Sequence, residues 1–219
     1  MLSRIAAILV PSLGRMTTSA ELSSFETPGI LVANHTSPAD PGVVLAALRR
    51  LGIEPAVLAT AGLWRVPVLR NLLDRDGHVP VHRRTARAAD ALVLAAAALR
   101  AGRHVLIYGE GGLPERRDAG EAAPGPFRSG PARLAAASGA PLIPIGQAGA
   151  RRIVSGSGTK QLAGLLTAPI RRPRLHVHIG APLILPTEID AASVLAHRAV
   201  TAAWRTAALR LGEPAARAA

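Results

Sequence analysis

The chain has 219 residues and no cysteine, which excludes disulfides, thiolate zinc sites and a thiol nucleophile. Its 26 basic and 14 acidic residues leave a formal charge of +12, so its partners are expected to be anionic, such as phosphate headgroups, coenzyme A or an acidic carrier protein. Two Trp, two Phe and one Tyr leave little surface for base stacking, and nucleic acid is therefore not expected as a partner.

The N-terminal segment, residues 1–16, has apolar side chains at helical spacing together with Arg4 and Arg15, which predicts a short amphipathic helix. Its apolar face would lie either on the core of the protein or on a membrane surface, and the pattern does not distinguish the two. No apolar run reaches the roughly 20 residues that span a bilayer. We therefore expect a cytoplasmic protein, with peripheral binding to the inner face of the cell membrane left open.

Strand-like and helix-like patterns alternate along the rest of the chain. Short apolar runs predict strands over 30–33, 55–59, 77–83, 104–108, 141–146 and 174–179. Helical spacing predicts helices over 43–51, 86–100, 128–138 and 188–211. Pro80 restricts its strand to a sheet edge, and a Pro- and Gly-rich composition predicts a mobile loop over 113–126. The alternation predicts a single α/β domain over residues 1–219, with a largely parallel central sheet flanked by helices.

The turn after the first of these strands carries the most specific pattern. The apolar run ends at Asn34 and His35, and Asp40 follows five positions after the histidine. On one continuous helix this spacing would place the two side chains on different faces, and Pro41 disfavours the α conformation at Asp40. The chain must therefore bend, and the bend can fold the Asp40 carboxylate back onto the His35 imidazole. A histidine held in this way is a general base of fixed tautomer and orientation.

The same residues also suit an ordinary helix start. In that interpretation Asp40 is the N-cap and Pro41 is the first helical residue, while His35 is a turn residue without chemistry. These residues alone do not decide between the two interpretations.

The pattern Asn-His-x-x-x-x-Asp after an apolar strand resembles the first motif of the glycerolipid acyltransferases, the lysophosphatidic acid acyltransferase (PlsC-like) family. Residues 77–83 are similar to the second motif, whose arginine binds the phosphate of the acceptor. Arg83 holds that position, and Arg84 follows it directly. Weaker resemblances follow in the family's order at 127–130, 141–145 and 177–183, so the resemblance covers about two-thirds of the chain.

The third motif departs from the family pattern. The family has Glu-Gly-Thr-Arg-Ser after an apolar strand, whereas this chain has Glu-Gly-Gly-Leu-Pro over 110–114. The family's arginine helps to hold a glycerol phosphate. Its replacement by Leu113 therefore favours an acceptor other than lysophosphatidate, unless Arg116 or Arg117 substitutes for it from the loop.

The resemblance implies an α/β acyltransferase that moves an acyl group from a coenzyme A or acyl-carrier-protein thioester to the hydroxyl of lysophosphatidate or a related lysolipid. His35 would deprotonate this hydroxyl, and Asp40 would orient and stabilise the imidazolium, without an enzyme nucleophile and without a metal or redox cofactor. The residues implied to bind substrate are Asn34, Arg83, Glu110, Gly111 and Gly112. One alternative is an acceptor without a phosphate, such as a specialised metabolite. An alternative of another class is a non-catalytic basic protein that binds lipid.

Other kinds of site find less support in the sequence. The Gly-x-Ser-x-Gly motif of serine hydrolases is not present, and without cysteine or His-Glu-x-x-His a zinc site is not indicated. His176 and His178 share one face of a strand, and we interpret them as part of a polar face at the edge of the sheet.

Overall fold

A seven-stranded sheet forms the centre of a computed structural model that describes residues 1–22, 24–83, 89–113 and 120–214. The strands lie in the order β1-β7-β6-β2-β5-β3-β4. Their bounds are β1 Arg15–Ala20, β2 Ile30–Ala33, β3 Ala56–Thr60, β4 Val79–Val81, β5 Val105–Tyr108, β6 Leu142–Ala148 and β7 Arg174–Ile179.

The prediction of a largely parallel sheet is confirmed. The strands β6, β2, β5, β3 and β4 are parallel to one another, whereas β7 runs antiparallel to β6 and carries β1 parallel to itself. Ala33 pairs with Tyr108 on one side and with Ile145 on the other, so the carboxyl ends of β2, β5 and β6 meet at one edge of the sheet. β4 is an edge strand, as Pro80 requires, because proline has no N–H for a second neighbour.

Helices cover both faces of the sheet. Alternate residues of β2 point to opposite faces: Leu31 and Ala33 pack in a core with α1 and α2, and Ile30 and Val32 pack in a second core with α4, α5 and α7. The helices are α1 Leu2–Leu13, α2 Asp40–Arg50, α3 Pro67–Arg75, α4 Asp90–Arg100, α5 Gly130–Ser138, α6 Gly158–Arg171 and α7 Ile189–Leu211.

Several elements differ from the prediction. The N-terminal helix ends at Leu13, and β1 begins at Arg15 in a segment too polar to show the alternation of a half-buried strand. The helix α6, Gly158–Arg171, lies in a segment whose sequence predicts no regular element. Its apolar side chains do not face the core, so the segment lacks the spacing of a buried helix face. The helix predicted over 86–100 is Asp90–Arg100, and residues 84–88 lie outside the described part.

The helix α1 packs on the protein through one face. Ser3, Ala6 and Val10 are buried, whereas Ile8 and Leu9 are exposed on the outer face. The sequence left open whether the apolar face of this helix lies on the protein core or on a membrane. The structure shows that one face of α1 packs on the core. Among the described residues, no helix is both long enough and apolar enough to cross a bilayer.

Candidate active site

The turn between β2 and α2 brings His35 and Asp40 into contact. Nδ1 of His35 lies 2.9 Å from Oδ2 of Asp40, and the same oxygen accepts the backbone N–H groups of Thr36 at 2.5 Å and Ser37 at 2.8 Å. The chain bends between the two side chains, as the spacing predicts. Asp40 is nevertheless the first residue of α2, with Pro41 in the first turn. The predicted N-cap is wrong, because Ala39 holds that position and Asp40 lies inside the helix. The helix start and the imidazole contact nevertheless occur together in one structure.

The Asp40 carboxyl is fully buried. Burial raises its pKa above the ordinary value, while the bonds from His35, Ser37 and Thr36 act in the opposite direction. A carboxylate only accepts hydrogen bonds, so its contact with Nδ1 makes that nitrogen the donor. The lone pair of the neutral imidazole is then on Nε2, the nitrogen available for taking a proton.

The His35 ring is positioned against Tyr108, the last residue of β5. The ring centroids are 4.3 Å apart and the planes are inclined by 30°. The His35 side chain is 12% exposed, and no described residue forms a hydrogen bond with its Nε2. Burial, together with the nearby Asp40 charge, raises the pKa of Tyr108 well above its ordinary value, which keeps the phenol neutral. Sequence reasoning did not select Tyr108, although its place at the end of the neighbouring strand was a usable signal.

Glu110 supports the turn from the end of β5. Its Oε1 accepts the backbone N–H of His35 at 2.8 Å, and its Oε2 accepts the N–H of Gly125 at 3.0 Å. Burial raises the pKa of this carboxyl, against the effect of the two backbone bonds. Both oxygens bind groups of the protein itself, so the geometry gives Glu110 a positioning role, and its predicted contact with substrate stays a prediction.

Asn34 joins the end of β2 to β6. Its side chain is fully buried; Oδ1 accepts the Gln147 N–H at 2.8 Å, and Nδ2 donates to the Gln147 carbonyl at 3.1 Å. Both polar ends of the amide bind the protein itself, so the geometry gives Asn34 a positioning role, and its predicted contact with substrate stays a prediction. The Gln147 side chain in turn donates to Thr36 Oγ1 at 3.0 Å, which fixes the turn from a strand that sequence reasoning did not connect with it.

Arg83 and the third motif lie side by side. Gly111 has φ +70, a left-handed conformation that glycine tolerates. A Cβ placed on Gly112 would lie 3.7 Å from Nη1 of Arg83, and the Arg83 side chain is exposed. The structure thus places Arg83 beside Gly112, which follows Gly111 in the chain. The predicted contact of these residues with substrate stays a prediction, and Arg84 lies outside the described residues.

The loop predicted to be mobile over 113–126 is held by contacts in the part that the structure describes. The buried Glu121 accepts the N–H of Gly149 at 2.8 Å through Oε1 and the indole N–H of Trp204 at 3.4 Å through Oε2. His197 approaches the Pro124 carbonyl at 3.1 Å. Residues 114–119, and with them Arg116 and Arg117, lie outside the description.

The interpretation of His176 and His178 as an edge face is wrong. The strand β7 lies between β6 and β1, and both histidines are buried. Oγ of Ser19 on β1 lies 3.0 Å from Nε2 of His176 and 2.9 Å from Nδ1 of His178. Burial lowers the pKa of His176, and His178 adds to the effect. The error arose because β1, the actual edge strand, has no clear strand pattern in the sequence.

Comparisons with known proteins agree with the fold and show the family. The chain matches the family model described as Acyltransferase over residues 15–147. It is 28% identical over 134 residues to the chloroplastic 1-acyl-sn-glycerol-3-phosphate acyltransferase BAT2 of Brassica napus, across 61% of this chain and 36% of that protein. The chain therefore spans about a third of the length of this curated relative.

A solved structure has the same architecture. The 1-acyl-sn-glycerophosphate (LPA) acyltransferase PlsC of Thermotoga maritima superposes with a TM-score of 0.68 at 16% sequence identity, covering 95% of this chain and 79% of that one. At this identity the likeness shows the fold, an α/β sheet with helices on both faces.

Proposed function

Because the chain belongs to the Acyltransferase family, we propose that it transfers an acyl group from a thioester of coenzyme A or of an acyl carrier protein to the hydroxyl of lysophosphatidate or a related lysolipid. The observation that carries the proposal is the His35 imidazole, whose Nδ1 is bonded to Asp40 and whose Nε2 has no partner among the described residues. The proposed reaction uses no metal or redox cofactor.

The proposed reaction needs one proton acceptor and one carbonyl. Nε2 of His35 takes the proton of the acceptor hydroxyl, and the resulting alkoxide attacks the thioester carbonyl carbon. The tetrahedral intermediate collapses, the carbon–sulfur bond breaks, and the leaving thiolate takes the proton back from Nε2. Asp40 stabilises the imidazolium between these steps and keeps Nδ1 protonated throughout. No covalent acyl-enzyme is required.

Two features of the site support the proposed roles. Glu110 and Asp40 hold the backbone of the turn through His35, Thr36 and Ser37 N–H groups, so the imidazole is set before substrate arrives, which lowers the cost of reaching the reactive geometry. The exposed Arg83 guanidinium, beside Gly112, is suited to a phosphate because its planar fork forms paired hydrogen bonds.

The test is to incubate the protein with acyl thioesters and a panel of lysolipid and non-lipid acceptors, and to identify products by mass spectrometry. His35→Ala should reduce turnover by about 10²- to 10⁴-fold with folding intact, since that is the usual contribution of a general base. Asp40→Asn should also be severely impaired, because the amide cannot stabilise the imidazolium as a carboxylate does.

The matched control is His104→Asn. His104 accepts the Gly29 N–H at the amino end of β5, away from the site, and its replacement should leave turnover unchanged. Full activity in His35→Ala would overturn the mechanism. A wild-type protein that binds lysolipids but forms no product with any acceptor would instead favour the non-catalytic lipid-binding alternative.

A second candidate function is the same acyl transfer to an acceptor that carries no phosphate. Leu113 presents apolar surface, with 44% of the residue exposed, at the position where the family has an arginine. An acceptor hydroxyl on a molecule without a phosphate, such as a monoacylglycerol or a specialised metabolite, suits this change.

A further inference from the structure

A cationic cavity lies beside the catalytic edge of the sheet. It is lined by residues of α6 and of the segment that follows β6, and its volume is about 350 Å³. Its charged lining residues are Arg151, Arg152, Lys160 and Arg171, and no described carboxylate lines it. The volume is at the lower end of the range for small-molecule sites. The cavity therefore has room for the charged end of a ligand rather than for a long molecule.

Two of these positive charges are not neutralised by a described acidic group. Arg152 is paired with Glu213, whereas Arg171 donates to the carbonyls of Arg152 and Gly164, which carry no net charge. Lys160, the single lysine of the chain, is exposed and forms no ion pair with a described carboxylate. A guanidinium and an ammonium are the usual protein ligands of phosphate. The cavity therefore favours a phosphate-bearing anion.

The wall of the cavity also holds the turn that carries His35. Nη1 of the buried Arg151 donates to the carbonyl of Thr36 at 2.7 Å. Oγ of Ser37 donates to the carbonyl of Val154, in the same segment after β6, at 2.7 Å. The segment that lines the cavity thus contacts both residues that follow His35 in the chain. A ligand in the cavity would therefore be bound next to the turn of the proposed base.

Strand order places His35 between this cavity and Arg83. His35 follows β2, which lies between β6 and β5. The lining segment of the cavity follows β6, the neighbour of β2 on one side, whereas Arg83 follows β4, beyond β5 and β3 on the other side. These strands are all parallel, so their carboxyl ends lie at one edge of the sheet. The two cationic sites therefore flank the proposed base, and each can hold one of two substrates.

We propose that the cavity binds the 3′-phosphate end of coenzyme A, the carrier of the acyl thioester. This inference rests on the proposed acyl transfer and deepens it, because it selects coenzyme A as the donor and assigns it a site. A long, flexible pantetheine arm separates the thioester of acyl coenzyme A from its phosphates. The phosphates can therefore lie beside Lys160 and Arg171 while the thioester carbonyl reaches the acceptor hydroxyl at His35. The acceptor approaches from the side of Arg83.

The shape of the site favours coenzyme A over an acyl carrier protein. A carrier protein presents its carboxylates on a convex protein surface, which cannot enter a cavity of about 350 Å³. The 3′-phosphate of coenzyme A is a terminal group of a small molecule and can enter it. A carrier protein has no such group, because its pantetheine arm ends in one phosphodiester attached to the protein. The 3′-phosphate is therefore the group on which the two donors differ at this site.

The experiment is titration calorimetry of the full chain with coenzyme A, with dephospho-coenzyme A, which lacks the 3′-phosphate, and with inorganic phosphate. The wild type should bind coenzyme A about tenfold more tightly than the dephospho form, and raised salt should reduce the difference. Lys160→Gln should weaken the binding of coenzyme A by about fivefold, and Lys160→Glu by more than about tenfold. The Lys160 side chain is exposed, so circular dichroism should show an unchanged fold.

The matched control is Arg100→Glu, which changes the net charge by the same amount at an exposed residue at the end of α4. This variant should bind coenzyme A as the wild type does. Unchanged binding by Lys160→Glu, or an equal loss in the control, would overturn the assignment.

Two further outcomes would also overturn it. Equal affinities for coenzyme A and its dephospho form, or for coenzyme A and inorganic phosphate, would show that the 3′-phosphate end is not recognised. Acyl transfer from a carrier-protein thioester by a chain that does not bind coenzyme A would favour the carrier protein as donor. The binding measurement needs no turnover, so its failure is distinguishable from a failure of the His35 test.

Discussion

At the scale of single residues, we expect the third motif to influence how the proposed acceptor is held. Gly112 leaves room for the Arg83 guanidinium, while Leu113 offers apolar surface in place of the family's arginine. Hydrogen bonds to charged groups are roughly twice as strong as neutral ones, so losing a guanidinium removes a strong phosphate contact. In the function that we propose, Arg83 is left to hold a phosphate alone, unless Arg116 or Arg117 contributes.

We expect this change to appear in a competition between lysophosphatidate and a monoacylglycerol. The protein should either prefer the acceptor without a phosphate, or lose its preference for lysophosphatidate in an Arg116→Ala/Arg117→Ala double variant. Arg83→Gln should weaken any phosphate preference, whereas Arg100→Ala, an exposed arginine at the end of α4, should not. A strong lysophosphatidate preference that survives the double change would show that the altered motif has no effect on acceptor choice.

At the scale of elements, the packing of α7 on β6 requires glycine at position 146, because no side chain fits there. A Cβ placed on Gly146 would lie 2.0 Å from the backbone carbon of Ala203 and 2.1 Å from the backbone nitrogen of Trp204. The obstacle is helix backbone, which cannot rotate away as a side chain could. The helix also brings Trp204 to Glu121, so this contact positions the loop beside the site.

Gly146→Ala should therefore destabilise the fold. We expect a loss of about 3 kcal/mol or more in the free energy of unfolding, the upper end for overpacking, because the whole helix must move away from the sheet. Urea unfolding measures the loss. Gly158→Ala on α6 is the matched control, since its Cβ would meet nothing within 4 Å, and it should leave the free energy of unfolding unchanged or raise it by up to about 1 kcal/mol. Equal stability of the two variants would show that α7 adjusts to the added methyl group.

At the scale of the whole molecule, a buried histidine couples folding to pH. Nδ1 of His78 accepts the N–H of Val57 at 3.0 Å, which ties the start of β4 to β3. The adjacent Asp76 accepts the N–H of Leu2 at 2.7 Å and so ties the same corner to α1. Burial lowers the pKa of His78 from 6.5 to about 4, with Asp76 opposing and Arg103 reinforcing the shift.

Because the pKa of His78 is lower in the folded chain than in the unfolded chain, we expect the protein to lose stability in acid. Between pH 6.5 and about 4 the unfolded chain takes up a proton at His78 and the folded chain does not, so stability falls over that interval and the loss levels off below it. The loss in the free energy of unfolding is on the order of 3 kcal/mol. His78→Asn keeps an acceptor for the Val57 N–H and removes the titration, so urea unfolding at a series of pH values should give a shallower decline. Parallel curves for the two proteins would contradict the assignment.

The sequence by itself determined the features that depend on local pattern. The bounds of β2 and β7 agree with the predicted strands. The apolar residues of a buried strand are adjacent in the sequence, so the strand can be recognised from that segment alone. Pro80 placed β4 at an edge through the chemistry of one residue. The five-residue separation and Pro41 also predicted a bend between His35 and Asp40, but the structure was needed to show that the bend brings the two side chains into contact.

Only the tertiary structure decided which distant groups support that contact. The Asn34 amide meets Gln147 across 113 positions, the Glu110 carboxylate meets the His35 N–H across 75, and Tyr108 stacks on the same ring. The outward face of α6 and the burial of His176 likewise depend on elements packed from elsewhere in the chain. Sequence periodicity reports that a residue is buried or exposed, whereas its partner is set by strand order and register. These arise from the packing of the whole sheet, and no local segment specifies them.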